Sequence, residues 1–132
     1  NMPAAYRVEG RLDREKLQTA FQQVVDQIAA FRTSFAVKDG ELVQTVADHV
    51  QVQVPYLQVD DKDLEAVLTA WGSEPFDLEK APLIRLQLLE TATQGQFLLF
   101  DAHHIIMDGM SYDPFFSALS KAYLNGQVEI PS

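Results

Sequence analysis

Two strongly apolar segments, Leu83 to Glu90 and Gln96 to His103, are separated only by Thr91-Ala92-Thr93-Gln94-Gly95. Apolar runs of this length around a short Gly-containing connection read as a buried hairpin. Amphipathic segments elsewhere in the chain are suited to cover it. Leu17, Phe21, Val24, Val25 and Ile28 recur at helical spacing, with Gln18, Gln22, Gln23 and Asp26 on the opposite face. Asp13 is placed to cap that helix. Asp60 or Asp61 is placed to cap a second one, with Leu64, Val67, Leu68 and Trp71 on one face. Ser111 or Asp113 is placed to cap a last one, with Pro114 in its first turn. Its apolar face is Phe115, Phe116, Leu119, Ala122 and Tyr123.

The remaining segments read as strands. Ala5 to Glu9 alternates apolar and polar residues until Gly10 breaks the pattern. Phe31 to Val37 and Glu41 to Val46 flank Lys38-Asp39-Gly40, a strong hairpin signal. Val50 to Val59 is extended, and Pro55 makes it an edge strand or irregular. The order is roughly β-α-β-β-β-α-β-β-α. The expected fold class is α/β, a mixed β-sheet covered by helices, or αβ sandwich.

The chain has 132 residues, 47% of them hydrophobic, enough for one compact domain. A net charge of −9 offers no basic stripe for nucleic-acid phosphates. The absence of cysteine removes a disulfide scaffold, a thiol nucleophile and thiolate metal sites, and fits a cytoplasmic protein. No apolar run approaches the roughly 20 residues that span a membrane. No secretory signal is visible. The opening Asn1-Met2-Pro3-Ala4 leads directly into a strand, so the chain is expected to be a piece of a longer protein.

Two of the three histidines, His103 and His104, stand together at the end of the second apolar segment, with Asp108 and Gly109 following. Histidine changes protonation near neutral pH and can carry a proton in a reaction. A structural hydrogen-bonding pair and a metal site are the competing readings. Metal is the weaker one, because neighbouring strand residues face opposite ways. His49 lies in a polar stretch and reads as a surface loop residue. If the strand runs through His104, then Leu98, Phe100, Ala102 and His104 share one face, and Phe97, Leu99, Asp101 and His103 the other. His103 is then a supporting residue, held by Asp101 or a backbone carbonyl. His104 is the candidate reactive group, and partial burial there is expected to keep its ring neutral. Asp108 reads as a turn hydrogen bond or salt bridge before a second acid/base group. Gly109 frees a backbone amide to face an oxyanion.

The pattern His103-His104-Ile105-Ile106-Met107-Asp108-Gly109 resembles the signature of the condensation domain of nonribosomal peptide synthetases. Its His-x-x-x-Asp core is similar to that of the chloramphenicol acetyltransferase-like acyltransferases. Other segments resemble the family in the expected order: Tyr6 to Asp13, Phe31-Arg32-Thr33-Ser34-Phe35, Pro75-Phe76-Asp77-Leu78 and Pro82-Leu83-Ile84-Arg85. The resemblance implies a chloramphenicol acetyltransferase-like lobe, one of two that form a V. It implies donor and acceptor peptidyl carrier proteins that deliver phosphopantetheine thioesters, with no cofactor held by this chain. An acceptor amine would attack the donor thioester, with His104 as base or as the group that orients the amine. Asp108 would hold the loop and Gly109 would help the oxyanion. The first helix and the whole C-terminal lobe would lie outside residues 1–132, and the isolated lobe is expected to be inactive. Further partners would be that lobe and adjacent synthetase domains, with no nucleic acid and no membrane.

Two positions depart from the family pattern. Gln27-Ile28-Ala29 stands where Arg-His-Glu is usual, and that Arg normally pairs with the motif Asp. Arg32 or Arg85 is then the substitute partner for Asp108. Met110 and the Ser111-Tyr112 pair leave epimerisation as an alternative. The replaced Arg leaves a catalytically silent docking module as another.

Overall fold

The computed structural model describes residues 1–107 and 112–125. Its frame is a four-stranded sheet in the order β1-β6-β5-β4. β6 (Gly95–Ala102) runs antiparallel to both its neighbours, β1 (Ala4–Arg7) and β5 (Ile84–Thr91), and β4 (Tyr56–Gln58) runs parallel to β5. The expected mixed sheet is therefore present. The predicted buried hairpin is its centre, with Ile84 opposite Ala102 and Leu88 opposite Leu98. β4 is short and lies at the edge, as Pro55 required.

Alternation along β5 and β6 divides the core into two layers. Ile84, Leu86, Leu88, Phe100 and Ala102 face α1 (Arg14–Gln27) and α4 (Tyr112–Asn125). From these helices Leu17, Phe21, Val24, Phe115, Leu119 and Ala122 complete the larger cluster. Phe115 lies at its heart, 5.4 Å from the Phe100 ring and 5.4 Å from that of Phe31. On the other face Leu89 and Leu99 pack with Leu64, Val67, Leu68 and Trp71, around α2 (Leu64–Ala70). The sandwich thus has helices on both faces. Among the described residues no helix is long and apolar enough to cross a membrane.

Local signals hold in detail. The Asp13 carboxylate accepts from Lys16 N at 3.1 Å and caps α1. β2 (Thr33–Lys38) and β3 (Glu41–Val46) form a separate hairpin. Asp39 and Gly40, with φ of 53° and 80°, make the turn that its Asp-Gly pair favours. Gly72 is required twice over. Its φ is 85°, and an added Cβ would lie 2.5 Å from that of Pro3. One capping expectation is corrected. Neither Asp60 nor Asp61 caps α2, which follows a 3₁₀ turn at Asp61–Asp63 and starts from Asp63. The Asp61 carboxylate instead accepts from Thr93 N and Oγ1, and so ties this turn to the β5–β6 connection. The caps expected of Ser111 and Asp113 fall on a residue outside the described set and on one whose side chain is not described.

The polar face of α1 has a structural task. Gln18 Nε2 donates to Val52 O and Gln18 Oε1 accepts from Val54 N, each at 2.5 Å. Gln22 repeats this one turn earlier on the partner segment, with Val50 O and Val52 N, each at 2.9 Å. Two glutamines at i, i+4 share a helix face, so their amides present a ladder to the extended segment before β4. Val52 and Val54 are thereby buried without a neighbouring strand.

This arrangement gives separable expectations. Gln18→Ala should release the Val54 amide to hydrogen exchange and leave the Val50 end protected, and Gln22→Ala should release Val52. Each should cost about 1–3 kcal/mol in urea denaturation, because a buried backbone group loses its partner. Unchanged exchange at Val54 in Gln18→Ala would show that the side-chain ladder does not hold this segment.

Candidate active site

β6 ends at Ala102, one residue before the histidine pair. The His103 backbone N still donates to Leu83 O at 2.9 Å, continuing the hairpin by one bond. Then the chain turns. His103 Nδ1 accepts from Ile105 N at 3.0 Å, and His103 O accepts from Ile106 N at 3.2 Å. An imidazole that takes the amide two residues on acts as a cap, and it starts the four-residue helix α3 (His104–Met107). Ile106, 6% exposed, anchors this turn in the larger cluster.

The expected placement of His104 is therefore corrected. It does not end a strand on an apolar face. It opens a helical turn and is exposed. The physical reason is the capping geometry of His103, which draws the chain out of the extended conformation before His104 is reached. The burial expected of His104 falls on His103, which is half-buried. That burial is the main cause that lowers the His103 pKa from its ordinary value. The nearby N-terminal amine and the neighbouring His104 act the same way, and Asp101 opposes them. Because Nδ1 accepts from an amide, the neutral ring carries its proton on Nε2.

Asp101 does not touch His103 through any hydrogen bond. It is 1% exposed and accepts from Asn1 Nδ2 at 2.7 Å and Met2 N at 3.0 Å. Arg85, its register partner on β5, places Nη1 4.0 Å from the carboxylate. The same guanidinium donates to Glu74 O at 2.8 Å and Pro75 O at 3.1 Å, and lies 3.9 Å over the Phe76 ring. Phe76 meets the His103 ring edge-on, with centroids 6.3 Å apart. Trp71 Nε1 donates to Phe100 O at 2.7 Å and braces the end of β6 from the other layer.

Arg32 is committed elsewhere. It donates to Ala47 O at 2.9 Å, and to Val25 O and Asp26 O at 2.8 Å each, which places its charge at the carbonyl end of α1. Gln27, at the position usually held by Arg, is the last residue of α1 and is exposed. Asp108 and Gly109 lie outside the described residues. In sequence they fall between two buried residues, Ile106 and Phe115. His49 is exposed, with Nδ1 3.3 Å from the Asp26 carboxylate. Among the described residues no three His, Cys, Asp or Glu side chains gather as metal ligands would. Phe76 was not foreseen as part of this site, because no spacing rule links it to the histidines. Arg85 was expected only as a substitute partner for Asp108, and its contacts to Glu74, Pro75 and Phe76 were not foreseen.

The lowered pKa of His103 has a testable sign. The unfolded chain binds a proton near the ordinary value of 6.5 and the folded chain only at lower pH. Stability is therefore lost as pH falls through that window. His103→Gln keeps an acceptor for Ile105 N but does not titrate. Between about pH 7.5 and about pH 5.5 the wild type should lose stability relative to this variant in urea denaturation. A stability difference independent of pH would contradict burial of the ring.

A family model described as Condensation domain matches residues 1–131. Surfactin synthase subunit 2 of Bacillus subtilis (strain 168) is 37% identical over 131 residues, which is 99% of this chain and 4% of that protein. The crystal structure of the epimerization domain from the third module of tyrocidine synthetase B superposes on all of this chain with a TM-score of 0.80 at 25% identity. The X-domain from teicoplanin biosynthesis does so over 99% of the chain, with a TM-score of 0.80 at 27% identity. This chain spans 32% and 30% of those two structures. The family match over residues 1–131, a synthetase relative 37% identical over 99% of this chain and the fold shared with these solved domains establish that the chain belongs to the condensation-domain family of nonribosomal peptide synthetases.

Proposed function

We propose that this chain is the N-terminal lobe of a domain that forms peptide bonds between substrates tethered to carrier proteins. The family match over residues 1–131, together with the exposed His104 at the turn after β6, is the observation that carries the reading. In the proposed reaction the amine of an acceptor aminoacyl thioester attacks the carbonyl of a donor acyl or peptidyl thioester. A C–N bond forms, the C–S bond breaks, and the donor phosphopantetheine leaves as its thiolate. The amine gives up one proton, which ends on that sulfur. His104 either takes this proton or orients the amine lone pair. Both roles need an imidazole that is neutral and free of the fold, and the capping task falls to His103 instead. Gly109 would offer its amide to the oxyanion. Asp108 would hold the chain beyond His104, and His103 would support it, whereas Arg32 is bound at the end of α1.

The partners in this reading are the donor and acceptor peptidyl carrier proteins, which bring phosphopantetheine, the C-terminal lobe, and adjacent synthetase domains. The second lobe would cover the exposed His104 and close the reaction space against water. This chain alone would then hold one side of a site and turn over little or no substrate. An epimerase is the second reading. It is supported by the epimerization-domain neighbour and by the Ser111-Tyr112 pair.

The test uses the parent domain with both lobes and carrier proteins loaded with defined aminoacyl groups. Dipeptidyl-thioester formation is followed by intact-protein mass spectrometry. His104→Ala should lower the rate by at least about a hundredfold, the scale of a lost acid–base or orienting group. No dipeptide, with His104-dependent exchange of the α-hydrogen for deuterium, would replace condensation by epimerisation. Neither activity in a folded protein would overturn both readings in favour of a silent docking module.

A further inference from the structure

We infer that Arg85 is a positioning residue for His104, acting through Phe76 and His103; this rests on the reading of His104 given above. Arg85 and Asp101 face each other across β5 and β6, on the α2 side of the sheet. The carboxylate is 1% exposed and holds the N-terminal segment through Asn1 and Met2. Its charge draws the guanidinium toward the end of β6, at 4.0 Å. From there the planar fork reaches outward and grips the carbonyls of Glu74 and Pro75. Only a guanidinium can donate to both carbonyls and still lay its face on the Phe76 ring.

The consequence reaches the histidine pair. Phe76 is the described aromatic side chain whose ring abuts His103. The His103 ring is in turn the cap that starts the helical turn bearing His104. Rotation of the His103 ring would break its bond to Ile105 N and change where His104 points. The segment 74–76 has no strand or helix of its own. Arg85 holds the carbonyls of Glu74 and Pro75, Asn1 Nδ2 also donates to Glu74 O at 2.7 Å, and Phe76 packs on the larger cluster. Arg85 is therefore the side chain that ties the Phe76 ring and both carbonyls together. Arg85 thus sets the angle of a ring that it does not touch.

The experiment uses the parent domain, with turnover measured as above and the histidine rings observed by NMR after selective isotope labelling. Arg85→Met should lower kcat by about tenfold to a hundredfold, as small misplacements of reacting groups do. KM for the loaded carrier proteins should stay within about twofold, since no binding surface is removed. The His103 ring resonance should move in the same variant. Arg85→Lys, which keeps the charge and loses the fork, should restore little. Phe76→Leu keeps apolar volume and should reproduce the loss if Arg85 acts through the ring. The double variant Arg85→Met/Phe76→Leu should then be no worse than the single ones.

The inference fails if folded Arg85→Met retains wild-type kcat. It fails equally if the His103 resonance is unmoved, or if the two single effects simply add. Failure of the underlying reading looks different. In that case His104→Ala itself leaves turnover unchanged, and the catalytic role assigned to Arg85 falls with it, whatever the resonances do.

Discussion

The pairing of β5 with β6 is the constraint on which the rest of the structure depends. Their register, with Leu86 opposite Phe100 and Arg85 opposite Asp101, assigns every side chain of the hairpin to one layer or the other. A slip of one residue would send Phe100 and Ala102 into the α2 layer and Asp101 into the large aromatic cluster. Burying a carboxylate among Phe21, Phe31 and Phe115 without partners would cost several kcal/mol. The apolar pattern and Asp101, the one buried acid among the described residues, therefore reinforce one register.

Everything around the hairpin acts as cover for one of its faces or edges. α1 and α4 close the larger face and α2 the smaller one. β1 occupies one edge, and the other is only partly occupied by β4. The segment before β4 is satisfied from the helix side by Gln18 and Gln22 instead. At the far end of the hairpin, Glu90 receives Tyr56 and Arg11, and the nearby Gln96 side chain binds Leu12 N and O. Those contacts hold the Glu90 carboxyl below its usual range, Arg11 being the first cause. The two ends of the hairpin thus differ. One is locked by ionic and amide contacts, and the other hands the chain to a capped turn with an exposed histidine.

That turn shows how two adjacent, chemically identical side chains acquire different environments. His103 is spent on the fold, with its Nδ1 bound to an amide and its ring against Phe76. His104 is spent on nothing within the described residues and faces outward. Strand alternation assigned different tasks to the two residues, with His103 as the supporting one. The detail was different, because the division arises from a cap and not from opposite faces of a strand. Asp101, anticipated along with a backbone carbonyl as what would hold His103, holds the N-terminal segment and Arg85.

Much of the fold was legible in the sequence, because its signals are local. Helical periodicity, the Asp39-Gly40 turn, the Asp13 cap and the two apolar runs each depend on residues a few positions apart. The histidine pair and its resemblance to condensation domains were legible for the same reason, as a contiguous motif. Tertiary structure alone decided what depends on distant partners. It set the Gln18 and Gln22 ladder to Val50–Val54, moved Asp61 from a cap to a clip on Thr93, and kept Arg32 at the end of α1. It also brought Glu74, Phe76 and Arg85 to the end of β6. Side-chain hydrogen bonds and ring contacts form wherever the packed backbone delivers two groups together, and no period along the chain encodes which groups those will be.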